Sequence, residues 1–236
     1  MLKDSKTVRI NKYLADKGLA TRKGADELIS AGKVLVNGAK AVLGQKIGPE
    51  DKVEVQEEKN EKKHRYLAYN KPVGIVTHSP TEDEKEIADV FKMDSLFPLG
   101  RLDKNSEGLL ILTNDGRVTD RLLNPKYEHE KEYAIETERA IGEIFKKKLE
   151  AGVQIGDDEK TKPCKVDLLD EHHFNIVLTE GRKHQIKRMT EAVGVSVRTL
   201  KRLRIMNVKL GDLKPNAGRE ITGKELQTFL KSLGLK

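Results

Sequence analysis

The sequence predicts an α+β protein in two domains, the second and larger built on a largely antiparallel mixed sheet. Three observations lead there. Strand-like and helix-like segments succeed one another without the regular strand–helix–strand alternation of a parallel α/β fold. The stretch Glu57-Glu-Lys-Asn-Glu-Lys-Lys-His64 is polar and lacks an apolar period, so residues 7–56 read as one domain, 57–64 as a linker and 65–236 as a second domain. The most apolar run, Leu109-Leu-Ile-Leu112, lies between Gly108 and the turn Asp115-Gly116 and reads as a buried strand around which the larger domain is built.

Taken in order, Ile10 and Leu14 and then Ala25, Leu28 and Ile29 recur at helical spacing, giving two short helices parted by Gly18-Leu-Ala20. Thr21 is placed to cap the second helix and Gly32 to stop it. Asn37-Gly38 between Lys33–Val36 and Lys40–Leu43 predicts a hairpin with a type I′ turn, because both turn residues tolerate positive φ; Val53 and Val55 continue the β pattern. In the larger domain Tyr66 to Val76 reads as a strand broken at Lys71-Pro72, since proline cannot donate to a sheet ladder, followed by a second extended piece. A helix is expected over Arg117–Leu123, and a half-buried strand over Glu130–Thr137 with Tyr133, Ile135 and Thr137 on one face. Further on, helices are expected over Ile141–Ala151, Gln185–Val193 and Lys224–Leu233. Strands are expected over Lys165–Leu168, Phe174–Leu178 and Val195–Leu210.

Charge narrows the function. The 236 residues carry a net charge of +7, with 36% hydrophobic and 35% charged side chains. Between Glu180 and Lys209 nine Lys/Arg face two Glu, a net of +7, so this one segment accounts for the whole excess. Concentrated positive charge is the footprint of a polyanionic partner, most often nucleic acid. Arg9, Lys12, Arg22, Lys23, Lys33 and Lys40 add cations to the small domain, where phosphates could be met. The single cysteine, Cys164, excludes an internal disulfide and suits a reducing cytoplasm; no run is apolar enough to span a membrane and no secretory leader is expected.

Searches for familiar chemistry narrow it further. No Cys/His spacing fits a metal site, Cys164 has no base beside it, and no glycine-rich phosphate loop follows a strand. What remains is an aspartate, Asp103, at the mouth of the core strand, a tyrosine on a strand, and a basic helix. Taken alone, Asp103 reads either as a turn cap or as a catalytic carboxylate on a rigid scaffold.

Four motifs carry a resemblance that covers nearly the whole chain. Lys71-Pro-Val-Gly74, Gly100-Arg-Leu-Asp103 through Ser106-Glu-Gly-Leu109, Lys131-Glu-Tyr133 and Gly181-Arg-Lys-His-Gln-Ile-Lys-Arg-Met189 resemble, in order and spacing, those of pseudouridine synthases. Arg9-Ile-Asn-Lys-Tyr-Leu14 through Ala31-Gly-Lys-Val-Leu-Val-Asn-Gly38 resembles the small RNA-binding domain of ribosomal-protein-S-four type. The pairing is similar to the ribosomal small-subunit synthase A group, and Thr161–Val166, His129–Tyr133 and Arg204–Val208 look like its large-subunit synthase F members.

The resemblance implies isomerisation of a uridine in structured RNA without metal or cofactor, by a cytoplasmic monomer that uses no membrane. It implies Asp103 as catalytic carboxylate, Lys187 as the cation that orients it, and Tyr133 stacked on the uracil. Arg101 would brace the gap left by the flipped base. RNA contacts are expected from Arg9, Lys12, Arg22, Lys23, Lys33, Lys71, Arg182, Lys183, Arg188, Arg202 and Arg204. 23S rRNA is the implied target, with small-subunit rRNA or a tRNA anticodon stem-loop as alternatives. A non-catalytic rRNA-binding assembly factor is the competing reading; a glycosidase-like hydrolase would need a second carboxylate, and Glu107 is the one nearby.

Overall fold

The computed structural model describes residues 7–56, 64–156 and 160–235; the linker expected over 57–64 lies outside these except for His64. Two compact units form. One comprises the residues up to His64 with Asp115–Arg117, the other Arg65–Asn114 with Val118 onward.

The small unit holds β1 (Val8–Arg9), α1 (Ile10–Asp16), α2 (Arg22–Ser30), β2 (Val34–Val36), β3 (Ala39–Lys40), β4 (Lys46–Ile47) and β5 (Val53–Val55). Its core joins Ile10, Leu14, Ala25 and Ile29, helix positions that the 3.6-residue spacing predicts, to Val34, Val36, Ala41 and Ile47 from beyond the helices, with Leu28 partly buried against it. Thr21 caps α2 as expected, its hydroxyl accepting from Gly24 N at 3.0 Å. The hairpin forms at Asn37 (φ 53°) and Gly38 (φ 81°), but its returning strand is shorter than Lys40–Leu43. After Lys40 the chain turns at Gly44 (φ 76°), the Gln45 side chain accepts from Val42 N at 3.0 Å, and Val42 and Leu43 are left exposed.

The large unit runs β6 (Tyr66–Lys71), α3 (Ile87–Val90), β7 (Phe97–Leu99), β8 (Glu107–Thr113), α4 (Val118–Leu123), a 3₁₀ turn (Pro125–Tyr127), β9 (Lys131–Thr137), α5 (Glu143–Glu150), β10 (Lys165–Leu168), β11 (His173–Leu178), α6 (Gln185–Ala192), β12 (Val197–Ile205), β13 (Val208–Lys209), β14 (Gly218–Glu220) and α7 (Gly223–Ser232). Seven strands follow the order β10-β11-β9-β12-β8-β6-β14, with β13 on β12 and β7 on β8. Among the described strands of this sheet the β12–β8 pair alone is parallel, so the sheet is mixed and largely antiparallel, as expected.

Both faces of β6 and β8 are covered. Leu110 and Leu112 pack with Phe145 and Leu149 of α5 and with Ile186 and Met189 of α6. Leu109 and Ile111 pack on the other face with Val118 and Leu122 of α4 and with Phe229 and Leu233 of α7. That is why Leu109–Leu112 is uninterrupted in sequence, whereas β9, covered on one face, alternates. Gly108 (φ 109°) marks where β8 meets β12: a Cβ there would collide with the backbone of Arg202.

Three expectations are corrected. No second strand follows Lys71; Pro72 starts a turn that rejoins regular structure only at a lone bridge from Val76 to Glu86. The helix expected from Ile141 starts at Glu143, beyond the extended Gly142. The expected strand Val195–Leu210 is a hairpin, β12 and β13, turning at Met206 (φ 52°).

Candidate active site

The Asp103 loop is held from several directions. Gly100 (φ 78°) lets the chain leave β7. Thr77 then clamps buried Leu102 twice, its hydroxyl donating to Leu102 O at 2.8 Å and accepting from Leu102 N at 3.0 Å. Ser106 N donates to Asp103 O at 3.0 Å, just before β8 begins, and Gly74 N donates to Lys104 O at 2.8 Å. The half-buried Asp103 carboxylate is thus presented by a backbone fixed on both sides, the preorganisation a catalytic group needs.

Asp103 faces a cavity of about 630 Å³ within the large unit. Tyr133 and Lys187 line it too, from β9 and the first turn of α6. Tyr133 is 9% exposed and lies opposite Arg202 of β12. Among the described residues its hydroxyl makes no hydrogen bond, and Lys187 forms no ion pair within 4 Å, although it shares the cavity with Asp103. The side chain that does reach the carboxylate is His184, its Nε2 3.4 Å from Asp103 Oδ1. His184 sits at the N-terminus of α6 with φ 52°, and it stands inside the basic motif without having been singled out from sequence. A network sets this loop: Gln185 Nε2 donates to buried Glu180 at 2.7 Å, Arg182 N donates to Gln185 Oε1 at 2.9 Å, and Lys162 N donates to Glu180 at 3.1 Å.

The expected RNA contacts divide. Arg101, Arg182 and Lys183 line the cavity, with Arg101 and Lys183 exposed. Arg9, Lys12, Arg22 and Lys23 are exposed in the small unit, Lys12 paired with Asp16 at 3.6 Å, and Lys33 is half-buried. Four expectations are corrected. Lys71 is wholly buried and donates to Pro72 O at 2.8 Å and Ile75 O at 2.6 Å, so it braces the turn behind Asp103 and no phosphate reaches it. Burial pushes the Lys71 ammonium down to about 8, against the opposing charges of Asp103 and Glu107. Arg202 is 4% exposed, lines the cavity from behind and donates through Nε to Leu109 O at 2.6 Å. Arg188 is half-buried and donates to Ile155 O at 2.6 Å. Arg204 is neutralised by Glu132 at 2.7 Å and Glu130 at 3.0 Å.

Lys131, which also lines the cavity, is likewise driven down to about 8, by burial and then by the Arg202 charge. The cavity therefore has an electropositive wall and one half-buried carboxylate, an arrangement suited to an anionic polymer and to nucleophilic or base chemistry at a sugar. Among the described residues no group of three or more His, Cys, Asp or Glu is arranged to hold a metal, and no helix is long and apolar enough to cross a membrane.

Known proteins match this architecture. Residues 65–192 match the RNA pseudouridylate synthase family and residues 8–53 the S4 domain family. The dual-specificity RNA pseudouridine synthase RluF of Escherichia coli K12 is 39% identical, the match covering 98% of this chain and 81% of the relative. The ribosomal large subunit pseudouridine synthase B of Bacillus subtilis is 35% identical over 93% of this chain and 94% of that one. A crystal structure of a pseudouridylate synthase superposes with TM-score 0.70 at 31% identity, covering 96% of this chain and 99% of the other. An S4 domain preceding in sequence a mixed sheet, with Asp103 on the loop that enters the core strand and faces a basic cavity, together with these matches, shows that the chain belongs to the RNA pseudouridine synthases.

Proposed function

We propose that the chain isomerises a uridine of large-subunit ribosomal RNA, with Asp103 as the catalytic carboxylate. The observation that carries the assignment is that Asp103, on a loop fixed by Thr77 and Ser106, shares one cavity with Tyr133 and Lys187 from two other elements. The rRNA target draws on the name of the B. subtilis relative. The word dual-specificity in the E. coli relative's name favours a second RNA substrate, such as a tRNA stem-loop of similar shape.

The target nucleotide leaves its stack and enters the cavity, because C1′, N1 and C5 are hidden in a helix. The C1′–N1 bond breaks, uracil departs as an anion, turns, and bonds through C5 to C1′; C5 loses its proton and N1 ends protonated, so no atom is gained or lost. Asp103 acts either by attacking C1′ or by taking a ribose proton to give a glycal. Tyr133 stacks on the uracil and is placed to receive the C5 proton. Lys187 supplies positive charge that keeps Asp103 ionised and aimed when RNA fills the cavity. Residues 7–56 select the folded RNA, and 65–236 carry out the chemistry.

Tritium release from RNA labelled at uridine C5 tests the assignment. Asp103→Asn is expected to abolish release while leaving RNA affinity within about twofold; substantial remaining turnover would falsify it.

A further inference from the structure

We propose that the turn from Pro125 to His129 is a stacking platform for one unpaired base of the RNA, a neighbour of the target uridine, with Tyr127 supplying the contact ring. This rests on the RNA-modifying function proposed above and adds to it a binding site on the substrate beyond the flipped nucleotide.

Tyr127 is 43% exposed, while every other Tyr and Phe is buried or half-buried. A chain with 4% aromatic residues, burying nine of its ten Tyr and Phe at least in part, exposes this one beside its cavity. The ring serves no core, and among the described residues its hydroxyl makes no hydrogen bond. It stacks on His129 with centroids 6.0 Å apart and planes 20° from parallel. His129 lines the cavity together with Asn124 and Pro125, so the two rings carry an aromatic surface from the cavity outward. Lys126 Nζ lies over the Tyr127 ring, 4.6 Å from its centroid and 4.0 Å from Asp120, placing an exposed and displaceable cation at the ring face. Burial, and then the charge of Lys131, lower the His129 pKa against a bond to the Arg121 backbone, which keeps a neutral ring next to Tyr127.

The turn is built to hold this pair. Asn124 caps it, its side-chain oxygen accepting from Lys126 N at 3.2 Å and its amide donating to Asp120 at 3.0 Å. Pro125 occupies the first position, where its fixed φ suits the turn. Glu128 takes a left-handed conformation (φ 53°), uncommon for a residue with a side chain, and is tied to Lys162 at 2.6 Å. A rigid, exposed aromatic ring with a cation beside it is how proteins hold single-stranded bases, because every base offers a π-face and the backbone offers a phosphate.

The test compares Tyr127→Ala and Tyr127→Phe by tritium release from a 23S rRNA transcript labelled at uridine C5. Tyr127→Ala is expected to raise KM about tenfold with kcat within about twofold, and Tyr127→Phe to match the wild type, since the phenyl ring still stacks. A transcript series with each nucleotide flanking the modified uridine made abasic provides the second arm. One abasic position is expected to cost the wild type about tenfold and Tyr127→Ala nothing. An unchanged KM in Tyr127→Ala overturns the proposal, as does an equal loss in Tyr127→Phe or equal abasic penalties in both proteins. A wild type inactive on rRNA and tRNA alike counts against the function proposed above instead.

Discussion

Arg9, Arg22 and Lys23 stand exposed on the small unit, and among the described residues none has a carboxylate within 4 Å. In the large unit, Arg188, Arg202 and Arg204 come from the segment that carries the whole net charge, yet they are bound to Ile155 O, Leu109 O and two glutamates. The small unit thus presents Arg9, Arg22 and Lys23 to solvent, where phosphates can reach them. The large unit turns Arg188, Arg202 and Arg204 into braces of its own backbone and carboxylates. A count of charges along a chain locates positive residues but does not tell which face solvent, because a guanidinium offers five donors and can be absorbed by carbonyls.

This contrast can be broken at four points. The largest effect is expected at the one half-buried carboxylate facing the basic wall: Asp103→Asn should lower turnover by about 10³-fold or more with RNA affinity little changed, as read by tritium release and filter binding.

Lys71→Met comes next. It leaves two carbonyls without their donor, for a loss of about 1–3 kcal/mol in denaturant unfolding. It should also change the pH dependence. The folded-state value of about 8 lies below the ordinary lysine value of 10.5, so between them the unfolded chain binds more protons. The stability contributed by Lys71 therefore grows as pH rises through that window, by roughly 3 kcal/mol at most. The variant should show a flatter rise from pH 8 to 10; an identical slope would mean that Lys71 is not a buried cation.

Replacing Arg9, Arg22 and Lys23 together by Ala should weaken RNA binding and reduce the slope of log affinity against log salt by about 2–3, leaving kcat unchanged. The smallest effect is expected at Arg204→Ala, where the charge is already neutralised and the salt slope should not move. A drop as large as one full phosphate contact there would erase the distinction between the two units.

The fold was legible wherever one residue pattern answers to one environment. Leu109–Leu112 reads as a doubly covered strand, Tyr133-Ala-Ile-Glu-Thr137 as a singly covered one, and Asn37-Gly38 as a turn needing positive φ twice. The second strand expected after Pro72 and the long form of the returning hairpin strand were not legible, because both ends depend on partners distant in sequence or on a local side-chain cap. For the site, Asp103, Tyr133 and Lys187 were marked by motif, and their convergence on one cavity required the β9–β12–β8 arrangement.

The sequence by itself determined the family, the order of the two domains and the carboxylate to test, since these follow from residue types at fixed spacings. Tertiary structure decided which cations face solvent, that Lys71, expected to contact RNA, instead braces the turn behind Asp103, that His184 reaches Asp103, and that Tyr127 alone among the Tyr and Phe residues lies exposed. Each of these depends on burial, and burial is set by elements that meet only after folding, tens of residues apart along the chain.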